Sequence, residues 1–294
     1  MEITTRAILG PSGETIHVDD HGALDGIPVL VHVGSPGTRR LYRPDVELAT
    51  NEFGLRLLSY DRPGYGGRRR QEGRQVADAV TDVRLIAEAL GIDRLGIYGC
   101  SGGGCYALAC AALLPGLVSG AAVLASFAPY GSPGLDFYGG WSPERRHEVD
   151  LFFTDRPAAR AKWRADADHL LTALATPEGW LARWGDAAGT DDAHSEVRAA
   201  YLAAGIRDAL ADGDDGWWDD WAAVLTPWGC DLTAIDVPVR LWHGARDQGV
   251  PVSHGHWLAD HVPGIIAEFP ATEDHSNVEH NNLATAYAWL RAAG

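Results

Sequence analysis

Basic residues are scarce in this chain: 24 Lys and Arg face 40 Asp and Glu, a formal net charge of −16 over 294 residues. So anionic a surface repels phosphate backbones and acidic lipid headgroups, which argues against nucleic acid and anionic membranes as partners. Cysteine is scarce too. Cys100, Cys105, Cys110 and Cys230 form no CxxC pair and no zinc-ligand spacing, so free, buried thiols are expected. No run approaches the ~18 apolar residues of a membrane span. Glu2, Thr4, Thr5 and Arg6 precede any apolar stretch, unlike a secretory signal, and the expectation is a cytoplasmic globular protein. The Arg68-Arg69-Arg70 run sits among Gly64, Gly66, Gly67 and Gly73 and reads as a solvated loop. His254, His256 and His261 lack carboxylate or cysteine partners at ligand spacing; they read as solvated helix residues, and neither metal nor cofactor is expected.

What is present is a rhythm of short apolar runs and helix-compatible stretches. Residues 3–9, the turn Pro11-Ser12-Gly13-Glu14 and residues 15–20 have the punctuation of an antiparallel hairpin. Apolar runs at 28–33, 55–60, 95–100 and 118–127 then alternate with helical patterns at 75–90 and 102–114. That alternation predicts an α/β fold with a mostly parallel sheet covered on both faces. From 133 to 228 strand-like runs vanish, and helix-compatible stretches fall at 143–153, 157–175, 177–185 and 193–211. The rhythm returns with 237–243, a helix near 252–261, 265–269 and a last helix near 277–291. Since the sheet resumes, residues 1–132 and 229–294 are expected to form one core, with 133–228 inserted in it as a helical lid.

Chemistry is concentrated in Gly99-Cys100-Ser101-Gly102-Gly103, which follows an apolar run and opens a helical one. This is the pattern of a nucleophile elbow, whose central residue occupies a strained strand-to-helix turn with small residues two positions to either side. Both such neighbours of Ser101 are glycine. Those of Cys100 are Tyr98 and Gly102, so the serine and not the cysteine is the expected nucleophile. An acid and a histidine should follow in that order, each after a strand. Asp247, just past the 237–243 run, and His275, past 265–269, meet the requirement. Asp274 and His280 are the nearby rivals. The Gly34-Ser35-Pro36-Gly37 loop, after another apolar run, can donate a backbone N–H to a developing oxyanion, with Gly102 supplying a second donor.

These motifs, with Ser59-Tyr60-Asp61-Arg62-Pro63-Gly64-Tyr65-Gly66 and Trp242-His243-Gly244, together resemble the α/β-hydrolase superfamily, most closely its serine esterase and proline-iminopeptidase-like branch. The resemblance covers about 1–132 and 229–294. It implies the α/β-hydrolase fold, a Ser101, His275 and Asp247 triad, Ser35 as part of the oxyanion hole, and a structural loop at 61–66. Departures narrow it. Many relatives carry His-Gly before the oxyanion loop, whereas Val33 precedes Gly34 here, and His32 would point to the other face of its strand. Gly102 stands where iminopeptidases often carry tryptophan, and Ser101 where dehalogenases and epoxide hydrolases of this fold carry aspartate.

The expected reaction is acyl transfer from a small-molecule ester, lactone, thioester or amide through an acyl-enzyme. Alternatives are a water-excluding acyltransferase or cyclase with the same triad, and a non-catalytic ligand receptor, for which an intact triad has no use. Most of the 11 tryptophans lie in or beside the insertion, among them Trp141, Trp180, Trp184, Trp217 and Trp218. Trp141, Trp217 and Trp218 are the candidates for an aromatic substrate pocket. Asp212, Asp214, Asp215, Asp219 and Asp220 would repel an anion on approach, so an uncharged or apolar substrate, or a cationic one, is expected.

Overall fold

The computed structural model describes residues 3–176, 178–179 and 192–294. Strands β1 (Ile3–Leu9) and β2 (Thr15–His21) pair antiparallel from Ile3 opposite His21 to Leu9 opposite Thr15, which closes the expected hairpin. Six further strands follow: β3 (Ile27–His32), β4 (Leu55–Tyr60), β5 (Leu95–Cys100), β6 (Val118–Leu124), β7 (Val239–Trp242) and β8 (Ile266–Glu268). The sheet order is β1-β2-β4-β3-β5-β6-β7-β8, antiparallel through β2 and β4 and parallel beyond. Central strands β4, β5 and β6 are buried along their whole length, which is why their sequences read as unbroken apolar runs instead of alternating ones.

Helices cover both faces. Besides a short α1 (Arg43–Glu47), these are α2 (Ala79–Leu90) and α3 (Gly102–Leu113). Helix α2 ends where Gly91 turns left-handed (φ 64°) and returns its N–H to Ala87 and Glu88 carbonyls. One core face joins Val83, Ile86 and Leu108 to the strands; the other joins Leu283, Ala286 and Leu290 of the last helix. Between β6 and β7 lie α4 (Pro143–Thr154), α5 (Arg156–Ala173), α6 (Asp192–Ala209) and α7 (Asp215–Leu225); after β7 come α8 (Val252–His261) and α9 (Asn277–Ala293). Ser142 and Asp155 cap α4 and α5 by accepting the N–H of Arg145 and Ala158, with proline at the first turn of each. The stretch 177–185, except 178–179, lies outside the described residues, as do Trp180 and Trp184. No described helix is long and apolar enough to cross a membrane.

Two local expectations are corrected, and one helix carries no clear mark in the sequence. Helix α7 did not stand out as helical because aspartates and tryptophans crowd it; burying Trp218, Ala222, Ala223 and Leu225 against the core drives it. The Arg68-Arg69-Arg70 run is not a solvated loop. Arg68 is buried and grips both oxygens of Asp82 (2.7 and 2.8 Å), Arg70 does the same with Asp219, and only Arg69 faces solvent. His254 is fully buried rather than solvated: Nδ1 accepts the Ala128 N–H (3.0 Å) and Nε2 donates to the Phe137 carbonyl (2.9 Å).

Candidate active site

Strand β5 delivers Ser101 to the C-terminal edge of the sheet, where parallel strands leave room for a site. Ser101 adopts φ 53° and ψ −126°, a conformation that costs a non-glycine residue about 1–3 kcal/mol. Its surroundings enforce it: the Ser101 N–H donates to the Leu124 carbonyl (2.8 Å), and its own carbonyl accepts from Gly104 (3.0 Å). The flanking glycines are sterically required. A Cβ at Gly99 would lie 2.6 Å from the Gly103 carbonyl oxygen, and one at Gly103 only 2.0 Å from that of His32.

Two loops bring His275 and Asp247 to the serine. His275 Nε2 is 3.0 Å from Ser101 Oγ, and Nδ1 is 2.8 Å from Asp247 Oδ2. The buried Asp247 is fixed through its other oxygen, which accepts the N–H groups of Gly249 and Val250 at 2.7 Å each. Buried His243 flanks it, with Nε2 donating to the Val250 carbonyl (2.9 Å) and lying 3.5 Å from Asp247 Oδ2. Glycine lets these loops meet, since a Cβ at Gly249 would sit 2.5 Å from His275 Cγ. The rivals are elsewhere. Asp274 accepts the N–H groups of Ser276 and Asn277 at the start of α9, and His280 is exposed. Cys100 is a poor nucleophile because burial, reinforced by nearby Glu279 and Asp247, pushes its thiol well above the ordinary range.

Residues 34 and 35 pack directly on the elbow: a Cβ at Gly34 would lie 3.6 Å from Ser101 Cβ, and one at Gly102 3.5 Å from the Ser35 nitrogen. The Ser35 hydroxyl is engaged elsewhere, donating to Asp220 of α7 and accepting from Arg62 Nη2 (3.1 Å). The hydroxyl is thus held by Asp220 and Arg62 even though it borders the elbow, where a Cβ at Gly102 would lie 2.7 Å from it. Around Asp220 is a buried network that the sequence did not reveal. Its carboxylate also accepts from Arg62, Arg74, Tyr65 (2.8 Å) and Tyr106 (2.6 Å). Burial alone would raise the Asp220 carboxyl, but Arg62 and Arg74 outweigh it and hold the group well below the usual carboxylate range.

A cavity of about 350 Å³ opens over Ser101 and His275. Trp217 lines it; Trp141 and Trp218 do not. Trp141 packs on Phe137 and Trp221, and Trp218 on Phe152 beneath the Arg156 guanidinium, each only 5% exposed. Neighbours on a helix diverge by about 100°, so Trp217 and Trp218 cannot both face the cavity. Nor do the aspartates of 212–220 form a free anionic field: Asp214 and Asp215 pair with Arg160, Asp219 with Arg70 and Asp220 with Arg62 and Arg74. The cavity has its own charged end, where Arg198 Nη1 meets Asp45 (3.1 Å) and Nη2 lies 3.8 Å from Glu279. Desolvation pushes the Asp45 carboxyl up to about 6 despite Arg198. Among the described residues no cluster of His, Cys, Asp and Glu is arranged to hold a metal.

No curated protein sequence matches the chain significantly. Several solved structures share its fold at low identity. A hydrolase from Pseudomonas aeruginosa PA01 superposes with a TM-score of 0.68 at 20% identity, covering 98% of each chain. An esterase from Rhodococcus sp. ECU1013 gives 0.67 at 20%, covering 99% of each. An enol-lactonase from Burkholderia xenovorans LB400 gives 0.67 at 20%, covering 98% of this chain and 100% of its own. The family model for the alpha/beta hydrolase fold matches residues 27–280, and with the eight-stranded sheet this makes the chain a member of the α/β-hydrolase family.

Proposed function

We propose that this protein is a serine hydrolase that cleaves a small-molecule ester, lactone, thioester or amide through an acyl-enzyme. One observation carries the reading: an unbroken hydrogen-bonded line from Ser101 through His275 to Asp247 at the floor of a cavity. In this mechanism His275 Nε2 takes the Ser101 proton as Oγ attacks the substrate carbonyl, and Asp247 holds the proton of Nδ1 so that Nε2 is the free base. Charge develops on the carbonyl oxygen and is met by the N–H groups of Ser35 and Gly102, each typically worth about 3 kcal/mol. The C–O, C–S or C–N bond then breaks as His275 returns the proton to the leaving group. Water repeats the sequence on the acyl-enzyme, regenerating Ser101.

Residues 133–228 serve in this reading as a lid, with Trp217 contributing an aromatic wall to the acyl pocket. An uncharged or cationic substrate fits the charged end of the cavity. There two carboxylates, Asp45 and Glu279, surround one guanidinium, Arg198, so a further carboxylate is disfavoured. The decisive experiment is labelling with a fluorophosphonate, alongside turnover of p-nitrophenyl esters matched in leaving group but differing in acyl charge. Wild type should label once and hydrolyse neutral acyl groups best, and Ser101→Ala should abolish both. Labelling or turnover that persists in Ser101→Ala would remove the nucleophile; preference for carboxylate-bearing acyl groups would remove the substrate class.

A further inference from the structure

Asp220 is remote in sequence from every residue of the elbow, yet it touches the loop that borders it. Its carboxylate accepts the Ser35 hydroxyl and, at 2.7 Å, Arg62 Nη2. Arg62 in turn donates from Nη1 to the Val33 carbonyl (2.7 Å) and from Nη2 to the Gly34 carbonyl (3.0 Å). The charged groups of this network are shut away from water, since Arg62, Arg74 and Asp220 are each no more than 4% exposed.

Peptide geometry gives this network its meaning. In a planar trans peptide the C=O and the following N–H point in opposite directions. Holding the Gly34 carbonyl on Arg62 therefore turns the Ser35 N–H away from Arg62. Residue 35 itself borders the elbow, where a Cβ at Gly102 would lie 2.7 Å from Ser35 Oγ and 3.5 Å from its nitrogen. Arg62 can keep this pose only while its charge is balanced in the dry interior, and Asp220 is its carboxylate partner, shared with Arg74.

We propose that Asp220 and Arg62 are positioning residues for the oxyanion donor: Asp220, presented by helix α7, fixes Arg62, and Arg62 aims the Ser35 N–H at the substrate oxygen. The inference rests on the serine-hydrolase reading above. It makes the helical segment between β6 and β7 part of the frame of the catalytic centre, because α7 supplies the anchor. Turnover then depends on how α7 is seated as well as on the triad.

The test compares Asp220→Asn, Ser35→Ala and Tyr65→Phe with wild type, using fluorophosphonate titration to count competent serines and expressing kcat per titrated site. A merely structural role lowers the number of sites and leaves kcat per site unchanged. Positioning predicts instead that Asp220→Asn loses about 10- to 100-fold in kcat per site, with KM within about threefold. The pH midpoint of kcat/KM should not move, since His275 and Asp247 are untouched. Ser35→Ala keeps the N–H but frees the loop from Asp220, and should lose about tenfold. Tyr65→Phe removes a hydroxyl that reaches Asp220 but no atom of residues 33–35, and should keep kcat per site within about twofold while lowering Tm. Wild-type kcat per site in both Asp220→Asn and Ser35→Ala would overturn the proposal; should Asp220→Asn fail to fold, Ser35→Ala alone decides. Failure of the underlying hydrolase reading looks different, as turnover or labelling that survives Ser101→Ala.

Discussion

Replacing Gly103 with alanine tests how tightly the elbow is built. The new methyl would lie 2.0 Å from the His32 carbonyl oxygen and 2.7 Å from both the His32 carbonyl carbon and the Val33 oxygen. Reaching even 3.0 Å needs a shift of 3.0 − 2.0 = 1.0 Å between α3 and β3, and the obstacle is backbone in the centre of a sheet, which cannot swing aside. Overpacking of this kind costs up to about 3 kcal/mol or more. Alanine in a helix regains about 0.5–1 kcal/mol over glycine, so the net loss is about 2 kcal/mol. In a chain of this size that lowers Tm by roughly 4–8 °C. Activity should suffer more, because a displacement of about 1 Å between the elbow and the loop at 34–37 is worth on the order of 100-fold in rate if the proposed function holds. The control is Gly116→Ala, where the added methyl meets nothing within 4 Å. Thermal denaturation and kcat/KM would be measured on both variants. A Gly103→Ala enzyme as stable and as active as Gly116→Ala would refute this account of the elbow.

Further outcomes follow from the same geometry. Cys100→Ala should retain kcat/KM within about tenfold, because its thiol is held protonated by burial; a loss equal to that of Ser101→Ala would transfer the nucleophile to the cysteine. Trp217→Ala should raise KM with little loss of stability, whereas Trp218→Ala should cost about 3–5 kcal/mol in denaturant titrations; the reverse pattern would mean the helix faces were assigned wrongly. His254 is driven by burial from 6.5 to about 4, so the folded protein resists a proton that the unfolded chain accepts. Stability present above pH 6.5 should therefore fall by on the order of 3 kcal/mol as pH drops toward 4. His254→Gln should flatten that slope in denaturation series from pH 7 to 4, and an unaltered slope would assign the acid lability to other groups.

The sheet was legible because a buried parallel strand announces itself as an unbroken apolar run, as 55–60 and 95–100 do. Strands β7 and β8 came out shorter than their apolar runs, four and three residues, and β8 is the edge of the sheet, paired with β7 alone. Ser101, Asp247 and His275 could be picked out because the elbow constrains its own neighbours and the acid and histidine follow strands in a set order. The Asp220 network could not. Arg62 and Asp220 are 158 residues apart, and nothing local distinguishes Asp220 from Asp212 or Asp215. Arg62 did lie in a motif carried by the family resemblance, but a motif names a position and not its distant partner. Similarly, Trp217 and Trp218 are equivalent in sequence and are separated only by the rotation of α7.

Residues 125–238 leave the sheet after β6 and rejoin it at β7, and these strands are paired neighbours, with Leu124 opposite Trp242. Such a segment invites exchange between homologous chains as a specificity cassette. Asp220 sets the rule for that exchange. A graft without an acid at this place would leave Arg62 and Arg74 side by side in a dry interior with no counter-charge. Chimaeras of this protein must therefore transfer the two arginines and the aspartate as one unit, or replace all three with neutral residues of matching volume.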